Sequence, residues 1–183
     1  PVEINIPVQE VKKRFERALH AAGLTGWEVQ IKEGMVADVV AGKEKTILLS
    51  ADALFTENRL RGTLAHEIET HVFTAMNGAR QPYKIFQRGL AGYLTTHEGL
   101  AVVNQERTEA METPKKYWPA SSVIGIDMAL RGSFTDVVAT LRQHGFDAER
   151  ALKVALKTKR GLADTGKPGG FTKDAVYFRG KNL

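Results

Sequence analysis

The N-terminal part of the chain shows two different periods of hydrophobic positions. Over residues 7–22 hydrophobic side chains recur every three or four positions, which predicts an amphipathic helix that ends at Gly23. Three shorter runs of β-type residues follow this helix, at residues 27–31, 36–40 and 46–49. This part of the chain therefore predicts one helix and then a small sheet of about three strands.

The pattern becomes helical after the third strand. A long helix is expected over residues 56–76, with Thr56 as its N-cap. Residues 81–93 contain proline and several glycines, so they are expected to connect this helix to the next one. The two helices that flank this connection are then candidates for side-by-side packing.

The pattern in the C-terminal half of the sequence predicts further helices, separated by residues that favour turns. The helix after the connection is expected to run from Thr95 or Thr96 to about Met111, and Pro114 and Pro119 bracket a loop. Shorter helices are expected at residues 124–131, at 133–145 with Ser133 as cap, at 147–161 with Asp147 as cap, and from about Thr172. The outline is a single α+β domain over residues 1–183, with a small mixed sheet packed on a mainly helical remainder.

Composition narrows the possible chemistry. The chain has 183 residues and no cysteine, which excludes disulfides, thiolate catalysis and cysteine zinc sites. A metal must therefore bind through His, Asp or Glu. No hydrophobic run is long enough to cross a bilayer and no secretory signal is recognised, so we expect a cytoplasmic protein without a membrane partner.

The charge balance is moderately basic, with 26 Lys and Arg against 21 Asp and Glu, a net charge of +5. Such a surplus favours acidic partners, and an acidic polypeptide tail is one candidate. The basic residues near the C-terminus are Lys153, Lys157, Lys159, Arg160 and Lys167. Because aromatic residues do not alternate with them, we interpret them as a solvated helix face and expect no nucleic-acid partner.

The segment His66-Glu67-Ile68-Glu69-Thr70-His71 carries the strongest chemical signal. Its pattern, H-E-x-x-x-H, is one residue longer than the zinc-protease pattern H-E-x-x-H. In a regular α-helix a five-residue spacing turns His71 about 140° away from His66, against about 40° for a four-residue spacing. The sequence therefore predicts a one-residue π-type insertion between the two histidines, or a local distortion of that kind. The alternative is two polar residues on a helix face with an incidental Glu.

The same rotation separates the two glutamates of the motif. Glu67 falls inside the arc bounded by the histidines, whereas Glu69 falls outside it, so only Glu67 can face a metal held by both rings. Catalytic zinc needs a third protein ligand, and Glu98 at the start of the next predicted helix is the candidate. The other interpretation of Glu98 is an acid favoured by the helix dipole. His97 is expected to point elsewhere, about 100° around the helix.

Five blocks of sequence resemble one known family. They are His66–His71, Gln81-Pro82 with Arg88-Gly89-Leu90, Tyr93–Thr96, Glu98-Gly99-Leu100-Ala101, and Gly169–Asp174 with Val176–Gly180. In this order they resemble the microtubule-associated tyrosine carboxypeptidase family, whose bacterial relatives are named after a Q-E-G-L-A motif. The resemblance is strongest over residues 60–107 and 168–180. His97 stands where the family motif has Gln, and the chain is shorter than typical members.

The resemblance implies a zincin-like metallopeptidase that removes a C-terminal aromatic residue, with α-tubulin as the substrate of the animal members. It implies that His66, His71 and Glu98 bind one zinc ion and that Glu67 is the general base. Tyr177 and His97 are candidate oxyanion donors. Arg179 and Arg88, which lie in the resembling blocks, are candidates for binding the terminal carboxylate of a polypeptide substrate. For either arginine, a surface or structural role is the alternative.

Other functions fit parts of the same pattern. The strand at residues 46–49 is expected to offer an edge on which a peptide lies extended, which suits a carboxypeptidase or an endopeptidase. A non-catalytic, zinc-stabilised binding module is the second hypothesis, and it requires a closed coordination sphere with His97 or another carboxylate as fourth ligand. The hypothesis of a nucleic-acid-binding protein rests only on the net positive charge and is disfavoured.

Overall fold

A computed structural model describes residues 5–42, 44–108 and 118–183, without the side chain of Arg88. The chain divides into two compact units, Pro1–Glu112 and Thr113–Leu183, and each is treated by itself. The helical and strand content confirms the predicted α+β class. The single domain over residues 1–183 and the zincin-like assignment stay predictions.

The first unit begins with a helix packed on a mixed three-stranded sheet. Its elements are helix α1 (Val8–Ala21) and strands β1 (Glu28–Lys32), β2 (Val39–Ala41) and β3 (Thr46–Ser50). The strand order is β1-β3-β2, with β3 parallel to β1 and antiparallel to β2. One core joins both layers, because Val11, Phe15 and Leu19 of α1 pack with Ile47 and Leu49 of β3.

The sheet differs from expectation at two points. The second strand starts later than predicted, since pairing begins with Val39 opposite Leu49, and Val36 is exposed. The third strand was expected to provide an open edge, and this was wrong: β3 is hydrogen-bonded on both sides and is the central strand. In the described part of the sheet the short antiparallel strand β2 is an edge.

A long helical rod follows the sheet. It consists of α2 (Glu57–His66), a π-helical turn (Glu67–Val72) and α3 (Phe73–Ala79). The hydroxyl of Thr56 accepts a hydrogen bond from the N–H of Arg59 at 3.3 Å, which confirms the predicted cap. Ile68 and Val72 of the π-helical turn join the core of the first unit, so one side of the rod is anchored.

The connection after the rod contains the short helix α4 (Ile85–Arg88), and α5 (Tyr93–Arg107) follows. The predicted start of α5 at Thr95 or Thr96 was wrong, because Gly92 adopts a left-handed conformation (φ 85°) and lets the helix begin at Tyr93. The predicted continuation to Met111 and the loop at Pro114 lie outside the described residues. A close backbone approach joins α3 to α4: a side chain at Gly78 would come within 2.1 Å of the carbonyl oxygen of Phe86.

The second unit contains four described helices, α6 (Trp118–Ala129), α7 (Phe134–Gln143), α8 (Ala148–Lys159) and α9 (Ala175–Lys181). Ser133 forms a capping box with Asp136, and Asp147 caps α8, as predicted. Pro119 does not bracket a loop as predicted. It lies in the first turn of α6, where the absence of its N–H breaks no helical hydrogen bond.

Within the described residues, no helix is long and apolar enough to span a membrane.

Candidate metal centre

The helix that carries the two histidines of the motif changes from α-helical to π-helical hydrogen bonding between them. α2 ends at His66, and the π-helical turn Glu67–Val72 contains His71. The N–H of Phe73 bonds the carbonyl of Ile68, five residues earlier, as a π-turn requires. This confirms the insertion predicted from the five-residue spacing.

The π-helical turn brings both imidazoles to the same side of the rod. Their ring centroids lie 4.9 Å apart and their planes are nearly perpendicular, at 81°. Both rings are largely buried, with 16% of the His66 side chain and 15% of the His71 side chain exposed. Two nitrogens held this close on a rigid element can bind the same ion.

The third member of the cluster comes from the neighbouring helix α5. Oε2 of Glu98 lies 3.4 Å from Nε2 of His71 and 3.7 Å from Nε2 of His66. The candidate ligand atoms of all three residues lie within 4.8 Å of one another. Ligands at the zinc distances of about 2.0–2.1 Å are separated by about 3.4 Å in a tetrahedron, so the spacing suits one small divalent cation.

The Glu98 carboxylate supports the same interpretation. The residue is buried, and Oε2 has no hydrogen-bond partner among the residues that the structure describes. A buried carboxylate oxygen without a hydrogen-bond partner is costly, whereas a bound cation would satisfy it. Two imidazole nitrogens and one carboxylate oxygen form a donor set that zinc favours. The residues present therefore fit a zinc ion.

Polar side chains on α5 contact the Nδ1 atoms of both histidines, the outer ring nitrogens that do not face Glu98. Oε1 of Gln105 lies 3.3 Å from Nδ1 of His66, and Nε2 of His97 lies 3.1 Å from Nδ1 of His71. An amide oxygen only accepts, so in a neutral His66 the proton stays on Nδ1 and the lone pair stays on Nε2, which faces Glu98. Contacts of this kind orient metal-binding histidines.

The ring of His97 packs against that of His71, with centroids 4.5 Å apart, and His97 is not part of the group of candidate ligands found among the described residues. Burial and the neighbouring charge of His71 lower the pKa of His97, which favours a neutral ring. A neutral His97 can accept a hydrogen bond from Nδ1 of His71 at its Nε2. Its predicted role as an oxyanion donor or substrate-binding residue stays a prediction.

Glu67 is buried beside the cluster and is fixed by the edge of the sheet. Its Oε2 accepts a hydrogen bond from the N–H of Ala41, at the end of β2, at 3.2 Å. Burial raises the pKa of the Glu67 carboxyl, although the charges of His66 and His71 oppose this. Burial also raises the pKa of Glu98, but the two imidazoles that face it lower the pKa further, so it lies well below its usual range.

The remaining predicted residues belong to other parts of the chain. Tyr177 and Arg179 lie on α9 in the second unit, where Tyr177 is half-buried and Arg179 is exposed. Residue 88 ends α4, and its side chain lies outside the described part. The roles of Tyr177, Arg179 and Arg88 stay predictions.

Two residues that support the cluster, Gln105 and Asn104, were not predicted from the sequence. Gln105 and Asn104 lie seven residues after Glu98 and His97, so they share the same two faces of α5, two turns further on. This seven-residue repeat is visible in the sequence. It becomes informative only once α5 is known to pack on the rod.

The fold and the site place the chain among α+β proteins that carry a His–His–Glu cluster across two neighbouring helices. A family model described as microtubule-associated tyrosine carboxypeptidase matches residues 1–182. The chain therefore belongs to the microtubule-associated tyrosine carboxypeptidase family, which confirms the resemblance seen in the sequence.

Three mammalian proteins illustrate this relationship. Microtubule-associated tyrosine carboxypeptidase 1 from Homo sapiens, Rattus norvegicus and Mus musculus is in each case 30% identical over 167 residues. The matched region covers 81% of this chain but only 35% of each relative. The chain thus spans about a third of the length of these relatives.

Proposed function

We propose that the chain is a zinc-dependent metallocarboxypeptidase that removes a C-terminal aromatic residue, Tyr or Phe, from a polypeptide. The observation that carries this proposal is the buried Oε2 of Glu98, which has no hydrogen-bond partner in the described part of the chain and faces the Nε2 atoms of His66 and His71. We assign zinc binding to these three residues. The names of the relatives supply the reaction class.

A zinc ion held by this cluster would supply a Lewis acid that polarises the scissile carbonyl and makes water more acidic. Glu67 is proposed as the general base that takes a proton from the attacking water and delivers it to the leaving amine. Its burial supports this role, because a raised pKa suits a carboxylate that must both accept and release a proton. The hydrogen bond from Ala41 holds the carboxylate in place.

The edge strand β2 is proposed to bind the substrate in an extended form. We assign the peptide-binding edge to β2 and not to the third strand, because β2 forms an edge of the described sheet. β2 also ends at Ala41, whose N–H contacts Glu67. A peptide that pairs with this edge would pass the proposed base. This arrangement supports hydrolysis of a peptide bond.

Recognition of the last residue needs an apolar surface and a cation. Tyr93 is 43% exposed, and its ring lies 5.6 Å from the ring of His97, which contacts the proposed zinc ligand His71. Aromatic rings stack favourably on one another, which supports an aromatic side chain at the substrate C-terminus. Arg179 or Arg88 is proposed to bind the terminal carboxylate, and Tyr177 to stabilise the oxyanion.

The identity of the natural substrate is a further part of the proposal. The relatives are named microtubule-associated tyrosine carboxypeptidases, which supports a polypeptide that ends in tyrosine as substrate and a cytoplasmic location. We further propose that this substrate has an acidic C-terminal tail, because the net charge of +5 suits an acidic partner. The proposal includes neither a nucleic-acid partner nor a membrane partner.

Peptide hydrolysis with matched substrates tests the reaction. We expect zinc-loaded protein to release Tyr or Phe from peptides with a free C-terminus, and a chelator to abolish the release. Cleavage of C-terminally amidated peptides at internal bonds would instead indicate an endopeptidase. Zinc binding without hydrolysis of any peptide would support the non-catalytic binding module and contradict the proposal.

A further inference from the structure

The π-helical turn is connected to α5 by a second contact that does not involve the proposed ligands. The hydroxyl of Thr70 donates a hydrogen bond to the carbonyl of Ala65, five residues earlier, at 3.0 Å. Nδ2 of Asn104 in turn donates to the Thr70 hydroxyl oxygen at 2.9 Å. Thr70 is fully buried, with 1% of the residue exposed.

The contact spans the segment in which the chain departs from α-helical geometry. Thr70 lies inside the π-helical turn, and Ala65 lies in the last turn of α2, just before His66. A π-turn is rare because it replaces the ordinary i→i−4 bonds, so it needs interactions that favour it over a regular helix. The Thr70 side chain supplies one such interaction across the five-residue spacing.

Asn104 makes this local contact part of the interface between the rod and α5. Asn104 and Gln105 are adjacent on α5, and they contact Thr70 and the outer nitrogen of His66 respectively. Two adjacent residues of α5 thus contact both the π-helical turn and an imidazole. Hydrogen bonds in such a chain strengthen one another inside a protein.

We infer that Thr70 and Asn104 are positioning residues, whose hydrogen bonds hold the π-helical turn that aims His66 and His71 at one ion. This inference rests on the zinc site of the proposed function. Without the Thr70 hydroxyl the turn should lose its preference for the π form. His71 would then rotate away from His66, because a five-residue spacing on a regular helix separates the two rings by about 140°.

Binding of Co²⁺, a spectroscopic substitute for zinc, tests this inference without an activity assay. Thr70→Val keeps the shape of the side chain but removes the hydroxyl. We expect its Co²⁺ affinity to fall by about 10- to 100-fold, the range found for residues that orient metal ligands, and the visible absorption bands of the ion to shift. Thr70→Ser, which retains the hydroxyl, should restore both the affinity and the spectrum.

Thr63→Val is the matched control. The hydroxyl of Thr63 donates to the carbonyl of Arg59 at 2.8 Å, so this variant removes the same kind of bond from the regular part of α2. We expect its Co²⁺ affinity and spectrum to match those of the wild type, whatever its melting temperature. If Thr70→Val does not fold, Asn104→Ala tests the same connection and should weaken Co²⁺ binding several-fold.

The outcomes separate this inference from the proposed function. Wild-type affinity and an unchanged spectrum in Thr70→Val, or in Asn104→Ala where Thr70→Val does not fold, would overturn the positioning role and leave the zinc site intact. Equal losses in Thr70→Val and Thr63→Val would also overturn it, because the effect would then be a general loss of helix stability. A wild-type protein that binds neither Co²⁺ nor zinc would overturn the proposed function itself.

Discussion

The carboxylate of Glu98 on α5 faces the imidazole of His71 in the π-helical turn, with Oε2 of Glu98 3.4 Å from Nε2 of His71. Only 10% of the Glu98 side chain and 15% of the His71 side chain are exposed. The distance exceeds that of a charge-assisted hydrogen bond, about 2.7–2.9 Å, but suits two ligands of one ion. We therefore expect substitution of either Glu98 or His71 to weaken zinc binding.

Replacement of Glu67 should separate metal binding from hydrolysis. Glu67→Gln keeps the shape and burial of the side chain but removes the proton acceptor. We expect zinc affinity to stay near that of the wild type while peptide hydrolysis falls by about 10²- to 10⁴-fold, the contribution typical of general base catalysis. Measurements of kcat and zinc stoichiometry on the same preparation check this expectation.

Glu69→Gln is the matched control for Glu67→Gln. Glu69 lies in the same π-helical turn, but its side chain is exposed. The Glu69→Gln variant should hydrolyse peptides at the wild-type rate. Comparable losses of kcat in both variants would show that charge in this turn, rather than proton transfer by Glu67, controls the rate.

Substitution of His97 tests its contact with His71. In His97→Gln an amide oxygen can accept a hydrogen bond from Nδ1 of His71, the atom that lies 3.1 Å from Nε2 of His97. We expect this variant to bind zinc within about threefold of the wild type, and His97→Ala to bind about tenfold more weakly. Competitive zinc titration measures both values. Wild-type affinity in His97→Ala would contradict a supporting role for this contact.

Much of the fold could be predicted because it depends on local signals. The three- and four-residue spacing of hydrophobic positions in α1, and the caps at Thr56, Ser133 and Asp147, each specify an element within a short window of sequence. The π-helical turn was also predictable, because the H-E-x-x-x-H spacing is incompatible with a shared ion on a regular helix.

The errors arose where distant parts of the chain decide the structure. The hydrophobic run of β3 does not reveal which strands flank it, so its central position could not be predicted. Gly92 looked like part of a connection, but its left-handed conformation starts α5 at Tyr93. The contact between Asn104 and Thr70 depends on how α5 packs against the rod, which no local pattern encodes.

Lys159 should be the main polar determinant of stability in the second unit. Lys159 does not lie on a solvated helix face as predicted, because only 2% of this residue is exposed. Its Nζ lies 2.6–3.0 Å from the carbonyl oxygens of four residues, which share the hydrogen bonds from its three N–H groups. These four acceptors are Ala129, Gly132, Lys167 and Gly169. Lys159→Met removes the donor from all four carbonyls, so we expect the free energy of unfolding to fall by about 3 kcal/mol or more.

Urea denaturation measures this loss. The chain has two tryptophans, so a Trp27→Phe background leaves Trp118, in the second unit, as the fluorescence probe. Lys153→Met is the control, because Lys153 is exposed and pairs with Glu149 at the surface. It should change stability by less than about 0.5 kcal/mol. Equal effects of the two lysine substitutions would contradict the role assigned to Lys159.

Zinc binding by Glu98→Gln tests the proposed ligand set most directly. The substitution preserves the size of the side chain but replaces the carboxylate that faces both histidines, whereas Glu106→Gln changes another glutamate of α5 as control. In a competitive titration the wild type and Glu106→Gln should each bind one zinc ion per chain, and Glu98→Gln should bind it at least about 100-fold more weakly. Zinc binding by Glu98→Gln with wild-type affinity would contradict the assignment of Glu98 as the third ligand.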